Sequence, residues 1–162
     1  MAVAAKIAKL RPATAADLDV VASWITTPRD CEAWVGPLLA FPLDRSTLAR
    51  CIGFSAETSF CLDERDVVAF GQLLDQGFGC GHLARIIVAP DRRRAGFGSR
   101  LVSALLERAV HCGFATVGLN VRWDNPGAGA LYRQLGFRPA ERPSHLAPAP
   151  GAEYLMRELP TD

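Results

Sequence analysis

Residues 92–101 read RRRAGFGSRL, three arginines running into two glycines one residue apart. Arginine guanidinium groups make charge-assisted hydrogen bonds to oxyanions. Gly96 and Gly98 tolerate turn dihedrals that other residues resist, and without a Cβ they let an anion approach the main chain. An apolar helical spacing begins at Phe97, so the unpaired amides of a helix N-terminus gather at the same point. Residues of these types in this order suit a phosphate. Cys80 and Cys112 offer thiols, but no histidine stands in a recognisable arrangement with either, and isolated cysteines fill cores more often than they react.

The elements around this turn follow from periodicity and punctuation. IAKLR (7–11) alternates as a first strand, and Thr14 with Asp17 three positions on forms a capping box opening a helix that carries Leu18, Val21 and Trp24. Pro28, Pro37 and Pro42 break the next stretch, leaving short helical pieces around DCEAW and STLARCI. SFCLDERDVVAFGQLLD reads as a hairpin and GHLARIIVAP as the strand after it. FGSRLVSALLERAVHCG spaces Leu101, Leu105 and Ala109 by four and ends on Gly113, a helix with its C-terminal cap. ATVGLNV is a further strand, Pro126 sits in the first turn of a helix ending near Leu135 and Gly136, and EYLMREL closes the chain as a strand after a loop over PAERPSHLAPAPGA. Successive strands predict antiparallel pairing early on, and strand–helix–strand–helix predicts a parallel crossover.

Bulk composition bounds the function. The 162 residues, 49% of them hydrophobic, suffice for one core, so a single domain over 1–162 is expected. Eighteen basic and seventeen acidic groups give a formal charge of +1, too small a field for a nucleic acid partner. Five cysteines without a C-x-x-C pair suggest reduced thiols in a cytoplasmic protein. No signal peptide and no apolar run of about 18 residues is present, so no membrane partner is expected.

Three phosphate-binding patterns can be tried on the glycine turn. The Walker string G-x-x-x-x-G-K-[ST] is absent. The dinucleotide fingerprint G-x-G-x-x-G fails because Leu101 occupies its third glycine position and the preceding strand belongs to an antiparallel run. The pattern [QR]-x-x-G-x-[GA] is met by Arg93, Gly96 and Gly98. Here the chain resembles the GNAT acetyltransferases. A second stretch, LNVRWDNPGAGALYRQLGF (119–137), resembles another signature of that family through Asn125, Ala128, Leu131, Tyr132, Gly136 and Phe137. LRPATAADL and EYLMREL match its edge elements more loosely.

The resemblance implies an α/β GNAT fold, a mixed and mostly antiparallel sheet of six or seven strands with helices on both faces. The fourth strand carries a bulge and splays from the fifth. It implies transfer of acetyl from acetyl-CoA to an amine, without a covalent enzyme intermediate and without a metal. Backbone groups of Ile86, Ile87 and Val88 would pair with the pantetheine as an added strand. Arg93, Arg94, Gly96, Gly98 and Ser99 would hold the pyrophosphate. Asn125 would lie near the coenzyme, and Tyr132 would be the general acid for the leaving thiolate.

A base is also needed, because a lysine-like amine is neutral only about once in 2,500 molecules at pH 7. Histone-modifying members carry a Glu eleven residues before the [QR], where this chain has His82. Members acetylating ribosomal-protein N-termini carry a Glu five residues before the motif Asn, where this chain has Asn120. With neither carboxylate present, His82 is the candidate base, directly or through water. The acceptor is expected to be a small-molecule amine, and a homodimer is common among members.

Competing readings accompany each residue. His82 fits a partly exposed histidine at a strand start, Tyr132 an aromatic beside Ala128, Leu131 and Leu135, and Asn125 a helix cap. Arg92 is expected to face solvent and His145 to sit in a surface loop. Trp24, Trp34 and Phe41 are either acceptor lining or core. For the whole chain the alternatives are a non-catalytic acyl-CoA-binding regulatory module, a protein or peptide N-acetyltransferase, and a nucleotide-binding domain of the dinucleotide type.

Overall fold

The computed structural model describes residues 7–37 and 39–161. The chain divides into two compact units, Met1–Gln72 with Arg85–Leu101, and Leu73–Ala84 with Val102–Asp162.

In the first unit, strand β1 (Lys9–Pro12) passes into helix α1 (Ala15–Ser23) through the expected capping box. The Asp17 carboxylate accepts from the Thr14 amide at 2.7 Å and the Thr14 hydroxyl at 3.0 Å, which satisfies a donor the helix start would leave orphaned. Arg11 locks the arrangement, donating to both Asp17 oxygens at 2.7 and 2.9 Å and to Asp63 at 2.9 Å. Its guanidinium is the main reason the Asp17 carboxyl is held down at about 2, with the Thr14 hydrogen bonds adding to it.

Helices α2 (Pro28–Val35) and α3 (Arg45–Cys51) open on Thr27 and Asp44, whose side chains accept from the amides of Asp30 and Thr47. The predicted hairpin is β2 (Ser59–Asp63) with β3 (Val67–Asp75), its register shifting between Leu62 and Asp63. β1 pairs antiparallel with β2 from Lys9↔Asp63 to Pro12↔Phe60. Leu18, Val21, Leu48, Cys61, Phe70 and Ile87 share one buried cluster, against which Trp24 and Trp34 pack. Both tryptophans are thus partly buried, whereas Phe41 is 36% exposed.

Strand β4 (Cys80–Val88) belongs to the second unit as far as Ala84, and that part pairs parallel with β5 (Thr116–Arg122) from Cys80↔Thr116 to Leu83↔Leu119, the predicted crossover. The connecting helix α4 (Phe97–His111) buries Val102, Leu105, Leu106 and Ala109, as its spacing requires, and Gly113 ends it at φ 81°. β5 also pairs antiparallel with β7 (Ala152–Glu158) over seven positions, Thr116↔Glu158 to Arg122↔Ala152. Helix α5 (Pro126–Gln134) follows β5. β6 (Arg138–Pro139) takes its second residue from the stretch expected to be loop, pairing with Met156 and Leu155 of β7; two residues are too few to carry a period. Among the described residues the sheet thus has seven strands in the order β1-β2-β3-β4-β5-β7-β6.

Candidate active site

The glycine turn is built by left-handed backbone. After a single 3₁₀ turn at Pro90–Arg92, Arg94 adopts φ 62° and Gly96 φ 83°. Arg94, which carries a Cβ, holds that conformation at a cost of roughly 1 kcal/mol, while Gly96 holds it freely. A Cβ built on Gly96 would meet nothing within 4 Å, so the dihedral rather than crowding calls for glycine there. Arg100 N–H donates to the Gly96 carbonyl at 3.1 Å, which makes Gly96 the residue opening α4. The amides of Phe97, Gly98 and Ser99 therefore precede any i−4 carbonyl and point free at the helix start.

Arg92, expected to face solvent, keeps 38% of its side chain exposed but is not free. It is half-buried and donates to Glu64 at 3.0 Å, a partner far away in the chain that no local pattern could reveal. Arg93 and Arg94 are exposed and join no ion pair among the described residues. Two guanidinium groups and three amides can thus meet a diphosphate, a donor set that fits that group.

Just upstream, the β4–β5 ladder ends at Leu83↔Leu119 and Arg85 stands at φ 52° in the middle of β4. This irregularity lies where the resemblance places the strand's bulge. The Arg85 carbonyl accepts from Trp34 Nε1 at 3.1 Å, pinning the distorted backbone. Ile86 and Val88 are half-buried and Ile87 is buried.

His82 is 8% exposed and pairs with Gly118 in the ladder, so the expected partial exposure is wrong: it is the third residue of β4, inside the sheet rather than at its margin. Pairing and alternation put Cys80, His82, Gly118, Asn120 and Tyr154 on one face. Tyr154 lies over Gly118 so closely that a Cβ there would stand 2.0 Å from its hydroxyl oxygen. Burial and then the neighbouring Cys80 push the Tyr154 hydroxyl up to about 12. Arg142 sits over the Tyr154 ring at 5.9 Å and donates twice to Asn120 Oδ1, at 3.2 and 2.7 Å. The position where some relatives carry Glu thus holds an amide engaged by an arginine. Tyr154 and Arg142 escaped sequence reasoning, although the glycine in the β5 run VGLNV was a signal of close approach.

Asn125 caps α5, its Oδ1 accepting from the Ala128 amide at 3.2 Å, with Pro126 at the first helical position. At the other end Gly136 at φ 89° closes a Schellman motif: Gly136 N–H donates to Arg133 at 3.1 Å and Phe137 N–H to Tyr132 at 3.0 Å. That motif sets the fully buried Phe137 edge-on to the Tyr132 ring, centroids 5.9 Å apart. Tyr132 is 8% exposed, and burial raises its hydroxyl to about 12. His145 lies on the exposed loop, against Phe78 and hydrogen-bonded to the Gln76 carbonyl at 3.0 Å. Ile86–Val88 and the glycine turn fall in the first compact unit, His82, Asn125 and Tyr132 in the second.

A model of the Acetyltransferase (GNAT) family matches residues 23–137. The chain belongs to the GNAT acetyltransferase family. Its GNAT sequence is 34% identical over 101 residues to the [Ribosomal protein bS18]-alanine N-acetyltransferase of Escherichia coli (strain K12), covering 62% of this chain and 68% of that one. The crystal structure of the ribosomal-protein-S18-alanine N-acetyltransferase from Escherichia coli matches with a TM-score of 0.67 and 25% identity, over 96% of each chain. N-acetylglutamate synthase from Neisseria gonorrhoeae, solved with coenzyme A and L-arginine, shares the fold with a TM-score of 0.67 at 18% identity, over 94% of this chain and 33% of that one. GNAT enzymes use acetyl-CoA, and this chain is an N-acetyltransferase. No helix among the described residues is long and apolar enough to cross a membrane.

Proposed function

We propose that this GNAT enzyme moves acetyl from acetyl-CoA directly to the primary amine of a small molecule, as a single cytoplasmic domain. The turn carries the reading: two exposed arginines that join no ion pair among the described residues run directly into the three amides that open α4. Five free cysteines suit a reducing compartment. Arg93, Arg94, Gly96, Gly98 and Ser99 hold the pyrophosphate, and the main chain of Ile86, Ile87 and Val88 pairs with the pantetheine. Asn125, while capping α5, lies beside the coenzyme.

Bound acetyl-CoA supplies a thioester carbonyl open to attack. His82 takes the proton of the incoming amine, directly or through a water. Tyr132, whose hydroxyl sits at about 12, stays protonated at neutral pH and donates a hydrogen bond to the departing sulfur. A His82→Ala variant whose kcat/KM keeps its pH profile removes the first role.

The second reading, acetylation of a protein N-terminus, is favoured by the 34% identity to an enzyme named for bS18 alanine. Against it stands Asn120, an amide bonded to Arg142 where such relatives carry Glu. An acceptor screen by mass spectrometry, with small amines and alanine-initiated peptides in one panel, decides between them. Acetylated small amines are expected, and product confined to the peptides reverses the assignment.

A further inference from the structure

Arg85 interrupts β4 with a left-handed residue that is not glycine, a conformation retained where surrounding structure enforces it and often found at ligand sites. Its side chain is half-buried, yet no carboxylate pairs with it among the described residues. Nη1 donates to Gln72 Oε1 at 3.0 Å, while Nε is buried without a hydrogen-bond partner. The Gln72 amide has no freedom to turn. It is fully buried, and its Nε2 donates to the Ile52 carbonyl at 3.0 Å and to Ser59 Oγ at 3.1 Å, so its oxygen must face Arg85. A chain of fixed neutral groups therefore orients a cation with no paired carboxylate among the described residues. Burial also lowers the Arg85 pKa, the sign of a charge held in poor solvent. Trp34, on the segment between β1 and β2, clamps the same residue through its carbonyl.

We infer that Arg85 receives a carboxylate carried by the acceptor, so that the substrate is an amino acid or a similar small amine bearing a free acid. This rests on the acetyltransferase reading above and names the substrate class within it. Arg85 immediately precedes Ile86–Val88, the residues assigned to the pantetheine, so a carboxylate held there belongs to the molecule being acetylated. A guanidinium with a neutral partner disfavours polyamines, whose second charge is positive. It also gives no foothold to an alanine N-terminus, whose carboxyl is tied up in a peptide bond. Arg85 acts as a specificity residue: no bond to acetyl passes through it.

The test is a competition. Wild-type enzyme with saturating acetyl-CoA receives equimolar mixtures of free amino acids and short aminocarboxylates with their carboxamides, plus spermidine and an alanine-initiated peptide. Product ratios from mass spectrometry equal ratios of kcat/KM. The acid should beat its carboxamide by about tenfold or more, the loss expected when a charge-assisted bond is removed. In Arg85→Gln that ratio should fall to within about threefold of one, because acids lose far more rate than carboxamides, with Arg85→Lys partly restoring it. A merely structural role would slow acids and carboxamides alike. The wild-type ratio decides the matter even if a variant fails to fold: a ratio at or below one, or the peptide or spermidine outcompeting every acid, overturns the inference. So does an unchanged ratio in folded Arg85→Gln. Failure of the parent reading shows separately, as absence of acetyl-CoA binding in a calorimetric titration.

Discussion

Replacing Tyr132 with Phe removes one oxygen and leaves the ring edge-on to Phe137, with the Schellman closure at Gly136 intact because only main chain makes it. Stability should change by no more than about 1 kcal/mol, the net worth of a typical hydrogen bond. The catalytic loss can be sized from the hydroxyl's position at about 12. A thiol of ordinary pKa, ~8.5, is a far weaker base once ionised than such a phenolate, so Tyr132 shares its proton with the developing thiolate rather than surrendering it. That places the loss at the low end of general-acid effects, about 10²-fold in kcat or about 2.7 kcal/mol. Steady-state rates with the best acceptor, acetyl-CoA affinity by calorimetry and urea melts separate the contributions. For the same reason, no inflection from Tyr132 is expected in kcat below about pH 11 in the wild type. Should Tyr132→Phe keep more than a third of wild-type kcat, the acid role is refuted; should acetyl-CoA affinity collapse instead, Tyr132 binds rather than catalyses.

Three further outcomes follow from the packing. Gly118→Ala drives a methyl to 2.0 Å from the Tyr154 hydroxyl and should destabilise by about 1–3 kcal/mol in a urea melt, with much of the loss absent when Tyr154 is replaced by Leu in the same chain. Between pH 10 and 12 the unfolded chain ionises Tyr132 before the folded one does, so Tyr132 should cost up to about 2.7 kcal/mol of stability as pH rises; Tyr154, also pushed up to about 12, adds a slope of the same sign, and Tyr132→Phe should remove only the Tyr132 share. Asp17, held down at about 2, works in the opposite direction: its contribution is present above about pH 4 and is lost as pH falls through 2, about 1 kcal/mol after screening, and Asp17→Asn should flatten acid unfolding in this window.

Local signals read well in this chain because short-range chemistry decides them. Thr14 and Asp17, Pro126, Gly113 and Gly136 each do in the structure what their type and position required. At the turn, the left-handed Gly96 and the free amides of the helix start are legible for the same reason, whereas the left-handed Arg94 is not, and Gly98 lies inside α4 rather than in the turn. Long-range partners were not legible. Arg92 finds Glu64, Arg142 finds Asn120, and Trp34 finds the Arg85 carbonyl, none through any periodic pattern. Arg85 itself sits in the apolar run LARIIV, where nothing but a glycine or asparagine would have announced a left-handed residue. The burial of His82 is invisible to local pattern because it depends on β5, β7 and Tyr154, elements placed by tertiary structure.

Calorimetric titration of acetyl-CoA into the intact chain, repeated with Arg93 and Arg94 both replaced by Ala, bears most directly on the account. Saturable one-to-one binding that weakens by about tenfold or more in the double variant is expected, since two charge-assisted contacts are lost. No association at millimolar acetyl-CoA, or equal affinity in both proteins, would contradict it.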